Sequence, residues 1–210
     1  IGSFDGIHLG HKKILDKINS NIKTIVSTST HNLQEQIFNN DIPFIAKGLD
    51  VSVKAVIVKG MNNYLCNARL SHLVDNIDIL NDSDRFDLCS LVVWSYSTET
   101  GDISECNGFK TWRSKKIWDL VCYNYEFCSS GKVDKHEGCF YKNLKRNIDD
   151  ATLLVINHAL LASCYQKQES IISDKDICII DEAHNFAENC RSHLKESLNN
   201  QYFEGIFDSY

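Results

Sequence analysis

The chain has 210 residues, 43% of them hydrophobic and 24% charged, with a formal net charge of −6. That composition is ordinary for a soluble globular protein with room for one core and a small insertion. The acidic balance excludes a generally basic coat for nucleic acid, no apolar run is long enough to span a membrane, and the N-terminus lacks the basic-then-apolar layout of a signal peptide.

In chain order, Ile1 to Leu15 (IGSFDGIHLGHKKIL) places His8 and His11 ahead of a short helix. Ile22 to Ser27 (IKTIVS) reads as a strand, and Asn32 to Asn39 as a helix with Leu33 and Ile37 on one face. Between them, STSTHNLQEQI sets hydroxyls and amides at a strand-to-helix junction, where Ser29, Thr30 and Gln34 can donate to phosphate. Thr30 or Asn32 serves equally well as an N-cap. Val53 to Val58 is a second strand. Residues 67–121 alternate short helical patterns without clear strands. Two local basic patches, Lys110 to Lys116 (KTWRSKK) and Lys142 to Arg146 (KNLKR), supply the only obvious surfaces for DNA. Trp112 and Trp118 flank a basic helix before the cysteine loop; core packing is the expectation for both, with base stacking as the rival. Leu153 to Asn157 and Ile177 to Asp181 are the last strands, and the chain is helical from Phe186. Asn157 and His158 read as strand-end caps or as polar groups near a nucleotide. Strand–helix alternation interrupted by a cysteine-bearing insertion predicts an α/β fold.

Nine cysteines in a chain without a secretion signal point to reduced thiols or metal ligation. Cys66 stands in NYLC, and Cys122, Cys128 and Cys139 follow in a stretch rich in Gly, Ser, Asp and aromatics. Thiolates on irregular loops suit a metal centre, because loops let several sulfurs converge. There is no CxxC pair, so spacing alone leaves an iron–sulfur cluster, structural zinc and unliganded thiols open. Cys106 lies in the same insertion and is the rival ligand. Cys164 and Cys178 read as small buried hydrophobes within strands or beside them.

The densest chemistry is in ICIIDEAHN, Ile177 to Asn185. A short apolar strand delivers two adjacent carboxylates to its C-terminal end, which is where an open α/β sheet presents charge to a ligand. In a nucleotide hydrolase the first acid holds Mg²⁺ and the second orients the attacking water. Asp181 and Glu182 are placed for those roles, with His184 beside them. An acidic helix start is the bland alternative.

DEAH, ATLLVINHALLA (Ala151 to Ala162), TIVSTSTHNLQEQIFNNDIP (Thr24 to Pro43) and VKGMNNYLCNARL (Val58 to Leu70) together resemble the DinG branch of the XPD-like iron–sulfur helicases. The resemblance covers roughly residues 22–190. It implies a partial RecA-like (P-loop NTPase type) α/β parallel-sheet domain with an inserted, mostly helical Fe–S cluster domain. It further implies ATP as substrate, Mg²⁺ on Asp181, catalysis by Asp181, Glu182 and His184, and single-stranded or forked DNA contacted through Ser29, Thr30 and Gln34. In that family the cysteines matching Cys66, Cys122, Cys128 and Cys139 hold a [4Fe–4S] cluster. A cytoplasmic, bacterial-type, soluble monomer without membrane contact is expected. DEAH is expected on a central parallel strand beside Thr24 to Ser27.

The first fifteen residues fit another pattern. His8 and His11 resemble the HxGH signature of nucleotidyltransferases, most closely the FMN adenylyltransferases, where two histidines bind the triphosphate of ATP. No GxxxxGK[ST] loop, the phosphate cradle of a P-loop helicase, occurs in the 210 residues. The expected organisation is therefore an HxGH-like segment at 1–20 facing the same crevice as DEAH, a partial motor domain at 21–59 and 151–185, the cluster domain at 60–150, and a helical start of a following region at 186–210. The chain is read as a helicase fragment that is inactive alone. A nucleotidyltransferase-like fusion and a non-enzymatic Fe–S or DNA-binding module are the rivals.

Overall fold

Four short runs rich in β-branched residues supply the strands. A parallel strand covered on both faces is buried along its length, whereas an outer strand tolerates exposure. A computed structural model describes residues 22–129, 138–167 and 176–194. Its elements, in chain order, are β1 (Thr24–Thr28), α1 (His31–Gln36), a π-helical turn (Ile37–Asp41), α2 (Ile42–Leu49) and β2 (Ala55–Ile57). Then follow α3 (Asn67–Asp75), α4 (Asp82–Ser95), α5 (Lys115–Val121), α6 (Tyr125–Ser129) and α7 (Phe140–Asp150). The last are β3 (Leu153–Asn157), α8 (His158–Lys167), β4 (Ile177–Ile180) and α9 (Ala183–Leu194). The chain divides into two compact units, Ile1–Ile57 with Thr152–Tyr210, and Val58–Ala151.

In the first unit the strands form one parallel sheet of order β2-β3-β1-β4. This is the α/β parallel sheet of a partial RecA-like domain. Thr24 pairs with Leu153 on one side and Ile177 on the other, so β1, β3 and β4 end at the same edge. The inner strands β1 and β3 are buried almost throughout, while β4 alternates between half-buried and exposed. Among the described residues β4 is therefore an edge strand, as β2 is on the other side, where the sequence suggested a central one. Cys178, expected as a buried hydrophobe, is exposed for the same reason. Thr30 starts α1, its hydroxyl accepting from the Leu33 amide at 3.3 Å. The helix expected to run to Asn39 stops at Gln36 and passes through the π-helical turn into α2, which Pro43 helps to start.

The second unit is helical, with a core built around Leu65, Leu70, Leu88, Leu91, Ile117 and Trp118. Trp118 is buried, and its indole N–H donates to the Asn62 carbonyl at 2.8 Å. Trp112 is 82% exposed, contrary to expectation. The turn Lys110–Ser114 carries it outward between two buried anchors, Phe109 and Ser114. Isolated antiparallel bridges join Tyr64 to Asp102 and Leu65 to Cys122, drawing the loop before α3 against the segments before and after α5. Lys59 and Asp102 form a buried ion pair at 2.7 Å, and the Lys59 ammonium also donates to Ser104 Oγ.

Candidate functional site

In the first unit the polar residues at the carboxyl edge of the sheet come from β1, β3 and β4. β1 ends in Ser27 and Thr28, β3 in Asn157, and β4 runs into Asp181 and Glu182. The Asp181 amide donates to the Ser27 carbonyl at 2.8 Å, which continues the ladder one residue beyond the strand and fixes where the acid emerges. Thr28 Oγ1 donates to Asp181 Oδ2 at 3.4 Å. Glu182 has a φ of 50°, in the left-handed region that side-chain-bearing residues rarely occupy. Such strain persists where the surroundings over-determine it, and it clusters at functional sites. The consequence is a sharp turn that carries the two acids ahead of α9. His184 Nε2 lies 3.3 Å from Glu182 Oε2 on the exposed side.

Behind the acids, His158 is 0% exposed. Its Nδ1 and Ser27 Oγ are 2.8 Å apart, the Phe186 ring meets it edge-on with centroids 5.1 Å apart, and its Nε2 has no hydrogen-bond partner. Burial lowers its pKa, opposed by the main chain and charge of Asp181. Ser, His and Asp stand together here without forming a nucleophilic triad, because the Ser27 hydroxyl is itself fully buried. Asn157 is a cap: its Oδ1 accepts from the Leu160 amide at 2.7 Å.

Ser29 is half-buried and Thr30 exposed. Gln34 faces inward, its amide donating to the Val155 carbonyl at 3.1 Å and its oxygen 2.9 Å from His31 Nδ1. It braces the sheet and does not reach the surface as a phosphate donor would. His8 and His11 lie outside the described residues.

In the second unit Cys66, Cys122 and Cys139 are buried and Cys128 half-buried. Burial raises the Cys128 thiol to about 11, helped by neighbouring Cys66, with which it shares a hydrogen bond, and by Cys139. Cys128, Cys139 and Cys66 also act together on Tyr123, whose pKa burial first of all raises to about 12. Three of the four thiols thus share one neighbourhood. The Cys122 thiol lies 3.9 Å from an Arg69 nitrogen, and burial raises it against the pull of that guanidinium. Among the described residues, no three His, Cys, Asp or Glu side chains close round a single ion. A cuboidal cluster holds its thiolates at its corners, farther apart than the ligands of one ion, and the thiol-only donor set suits it. Cys106 packs in the core with its thiol against the Gly108 and Phe109 amides.

Sequence reading missed Arg69. It donates to the Cys122 and Asp119 carbonyls and lies 5.7 Å from the Phe127 ring centroid, tying Cys66's helix to the segments bearing Cys122 and Cys128. Its only signal was a cation three residues after Cys66. Thr28 and the buried Ser27–His158 pair were also missed, since alternation in TIVST does not show which hydroxyl meets which strand.

The DEAD_2 family model matches residues 26–203. The ATP-dependent DNA helicase YoaA of Haemophilus influenzae is 31% identical over 180 residues, covering 84% of this chain and 28% of its own length. YoaA of Escherichia coli is 29% identical over 183 residues, with 85% and 28% covered. The 3'-5' exonuclease DinG of Bacillus subtilis is 29% identical over 174 residues, with 81% and 18% covered. The chain thus spans less than a third of the length of these relatives.

Proposed function

The chain belongs to the DEAD_2 family, and from that premise we propose that it forms part of the first motor domain of an ATP-dependent DNA helicase. The observation that carries the reading is the turn after β4, where Asp181 and the left-handed Glu182 stand beside Thr28 at the carboxyl edge of a parallel sheet. Thr28 and the Ser27 carbonyl hold Asp181 in place, and Asp181 would take Mg²⁺. When bound, Mg²⁺ neutralises charge on the transferred phosphoryl group. Glu182, held by His184, orients the attacking water and receives its proton. Ser29 and Thr30 face the DNA backbone, with Gln34 supporting them from behind.

Within the 210 residues there is no GxxxxGK[ST] loop. Lys12 and Lys13 follow His11 without a Gly-rich amide nest in the required spacing. The chain by itself should therefore hydrolyse ATP at background. The comparison is DNA-stimulated ATP hydrolysis by the purified chain and by its Asp181→Ala, Glu182→Ala double variant. A DNA-dependent rate that disappears in the variant would show that the His8–Lys13 segment substitutes for the loop. In a protein that carries this segment with a phosphate loop and a second motor domain, Glu182→Gln should cost about 10²–10⁴-fold in turnover. An unchanged rate there would remove the motor assignment.

The cysteine reading is that Cys66, Cys122, Cys128 and Cys139 hold a [4Fe–4S] cluster, which when bound would cross-link the segments that carry them. It is supported by the thiol-only donor set and by the shared neighbourhood of three of its members. Anaerobic purification should give a brown protein whose iron is lost in Cys66→Ser and kept in Cys106→Ser. A colourless protein with stoichiometric zinc would keep the ligands and overturn the iron, and the opposite order of the two variants would overturn the fourth ligand.

A further inference from the structure

The turn Lys110–Ser114 is fixed at both ends. Phe109 is buried with its ring centroid 6.3 Å from that of Trp118, and the Arg113 and Ser114 amides both donate to the Lys110 carbonyl, at 3.0 and 3.1 Å. Ser114 is buried and its hydroxyl donates to Asp87, after which Ile117 and Trp118 enter the core. So pinned, the turn holds Trp112 at its tip with 82% of its surface in water and no ring or cation contact among the described residues. Leaving a large aromatic ring exposed forfeits about 1.5–3 kcal/mol of burial; Tyr96 and Tyr165 are as exposed, so what singles out Trp112 is the charge around it.

The residues around the ring say which occupant it fits. Lys110, Arg113, Lys115 and Lys116 are all exposed. Lys115 pairs with Asp119 at 3.3 Å and Lys116 with Asp84 at 3.8 Å, surface contacts that exchange readily. Lys110 and Arg113, the two flanking the ring, pair with no carboxylate among the described residues. A flat apolar face between two free cations matches a nucleotide, whose base stacks while its phosphates meet the charges. A bilayer would need further apolar residues beside the indole, and Lys110, Thr111 and Arg113 stand there instead. The other basic patch, Lys142 to Arg146, has no exposed ring: Lys145 lies 5.3 Å from the centroid of the buried Tyr141.

We propose that the turn Lys110–Lys116 is a stacking site for single-stranded nucleic acid, with Trp112 as its platform and Lys110 and Arg113 as its partners for phosphate. This rests on the reading that the chain works on DNA, and it adds a binding surface in the helical unit that the DEAH site does not include.

The test is titration of the purified chain with a short oligothymidylate, followed in parallel by fluorescence polarisation of the labelled strand and by tryptophan emission. Binding should quench the emission. Trp112→Ala should weaken binding about 5- to 150-fold, which is what one stacked base is worth, while its thermal melt stays close to that of the wild type because the ring is 82% exposed. Trp112→Phe should keep most of the affinity and lose most of the quench. Lys110→Gln with Arg113→Gln should lower the slope of log affinity against log salt by about 1.4, roughly 0.7 for each phosphate that is no longer neutralised. Wild-type affinity in Trp112→Ala would overturn the stacking site and leave the DNA reading standing. No binding by the wild-type chain would overturn both. Quenching by phosphatidylserine vesicles without quenching by oligothymidylate would assign the turn to a membrane surface instead.

Discussion

Glu182 carries a backbone cost together with its chemistry. Holding a side-chain-bearing residue in the left-handed region costs roughly 1–2 kcal/mol, and its φ of 50° places it there. Glu182→Gly should leave the unfolding free energy unchanged or raise it by up to about 1 kcal/mol, whereas Glu182→Val, β-branched, should lower it by about that much. Urea unfolding decides, and equal stability of the two variants would mean the turn relaxes freely. His158 gives a second prediction. Its folded pKa lies below the ordinary 6.5 because burial disfavours the cation. Below pH 6.5 the unfolded chain therefore binds a proton that the folded chain refuses, and stability must fall as the pH drops through that value toward the depressed one. His158→Leu should flatten this slope. It should also cost about 1–3 kcal/mol by stranding the Ser27 hydroxyl, and Ser27→Ala in the same background should recover part of the loss.

At the scale of elements, the helical unit depends on one loop meeting one helix. Gly101 has a φ of 71°, and a Cβ there would fall 2.4 Å from the Phe140 ring at the start of α7. Gly101→Ala combines a strained backbone with overpacking, and together these should cost about 2–5 kcal/mol. Next to it, Asp102→Ala should cost about 3–5 kcal/mol by leaving Lys59 buried without its carboxylate. Asp119→Ala, which breaks only the exposed pair with Lys115, should cost less than about 1 kcal/mol. Similar losses for the two Asp variants would show that the Lys59–Asp102 pair is not dry. The element pattern was largely legible. Leu153 to Asn157 is a strand over the whole expected span, and the other three strands shift by a few residues at most. The helix from Asn32 was misjudged because periodicity cannot see a π-helical turn, which keeps the apolar face while changing the hydrogen-bond step.

For the whole molecule, residues 58–151 enter from the end of β2 and return to the start of β3, and these strands pair with Ala55 opposite Leu153. The two strands are parallel, so any connection must run back from the carboxyl end of β2 to the amino end of β3, which takes about a dozen residues, and each doubling of a loop's length costs only about 0.6 kcal/mol. Replacing 58–151 by a Gly-rich linker of about that length should leave the sheet unit able to fold, read by circular dichroism and a cooperative melt. A linker variant without a cooperative transition would show that the two units fold only together. Alkali should loosen the helical unit, since burial raises the Cys106 thiol above its ordinary 9.0. The unfolded chain gives up that proton first, so stability is lost as the pH rises past 9.0, and Cys106→Ala should remove this part of the loss.

The family, the parallel α/β class and the run of an apolar strand into two acids were readable from apolar runs and short motifs, because each is written in contiguous residues, whereas the place of that strand at the edge of the sheet was not. Juxtapositions were not. Nothing local in the chain says that Thr28 meets Asp181 or that His158 seals against Ser27. Nothing local says that Gln34 turns inward, or that Arg69 ties together segments more than fifty residues apart. Trp112 and Trp118 sit six residues apart in nearly the same composition, yet one is core and the other a tip. Burial belongs to the surface a residue meets after folding, and only the tertiary structure decides it.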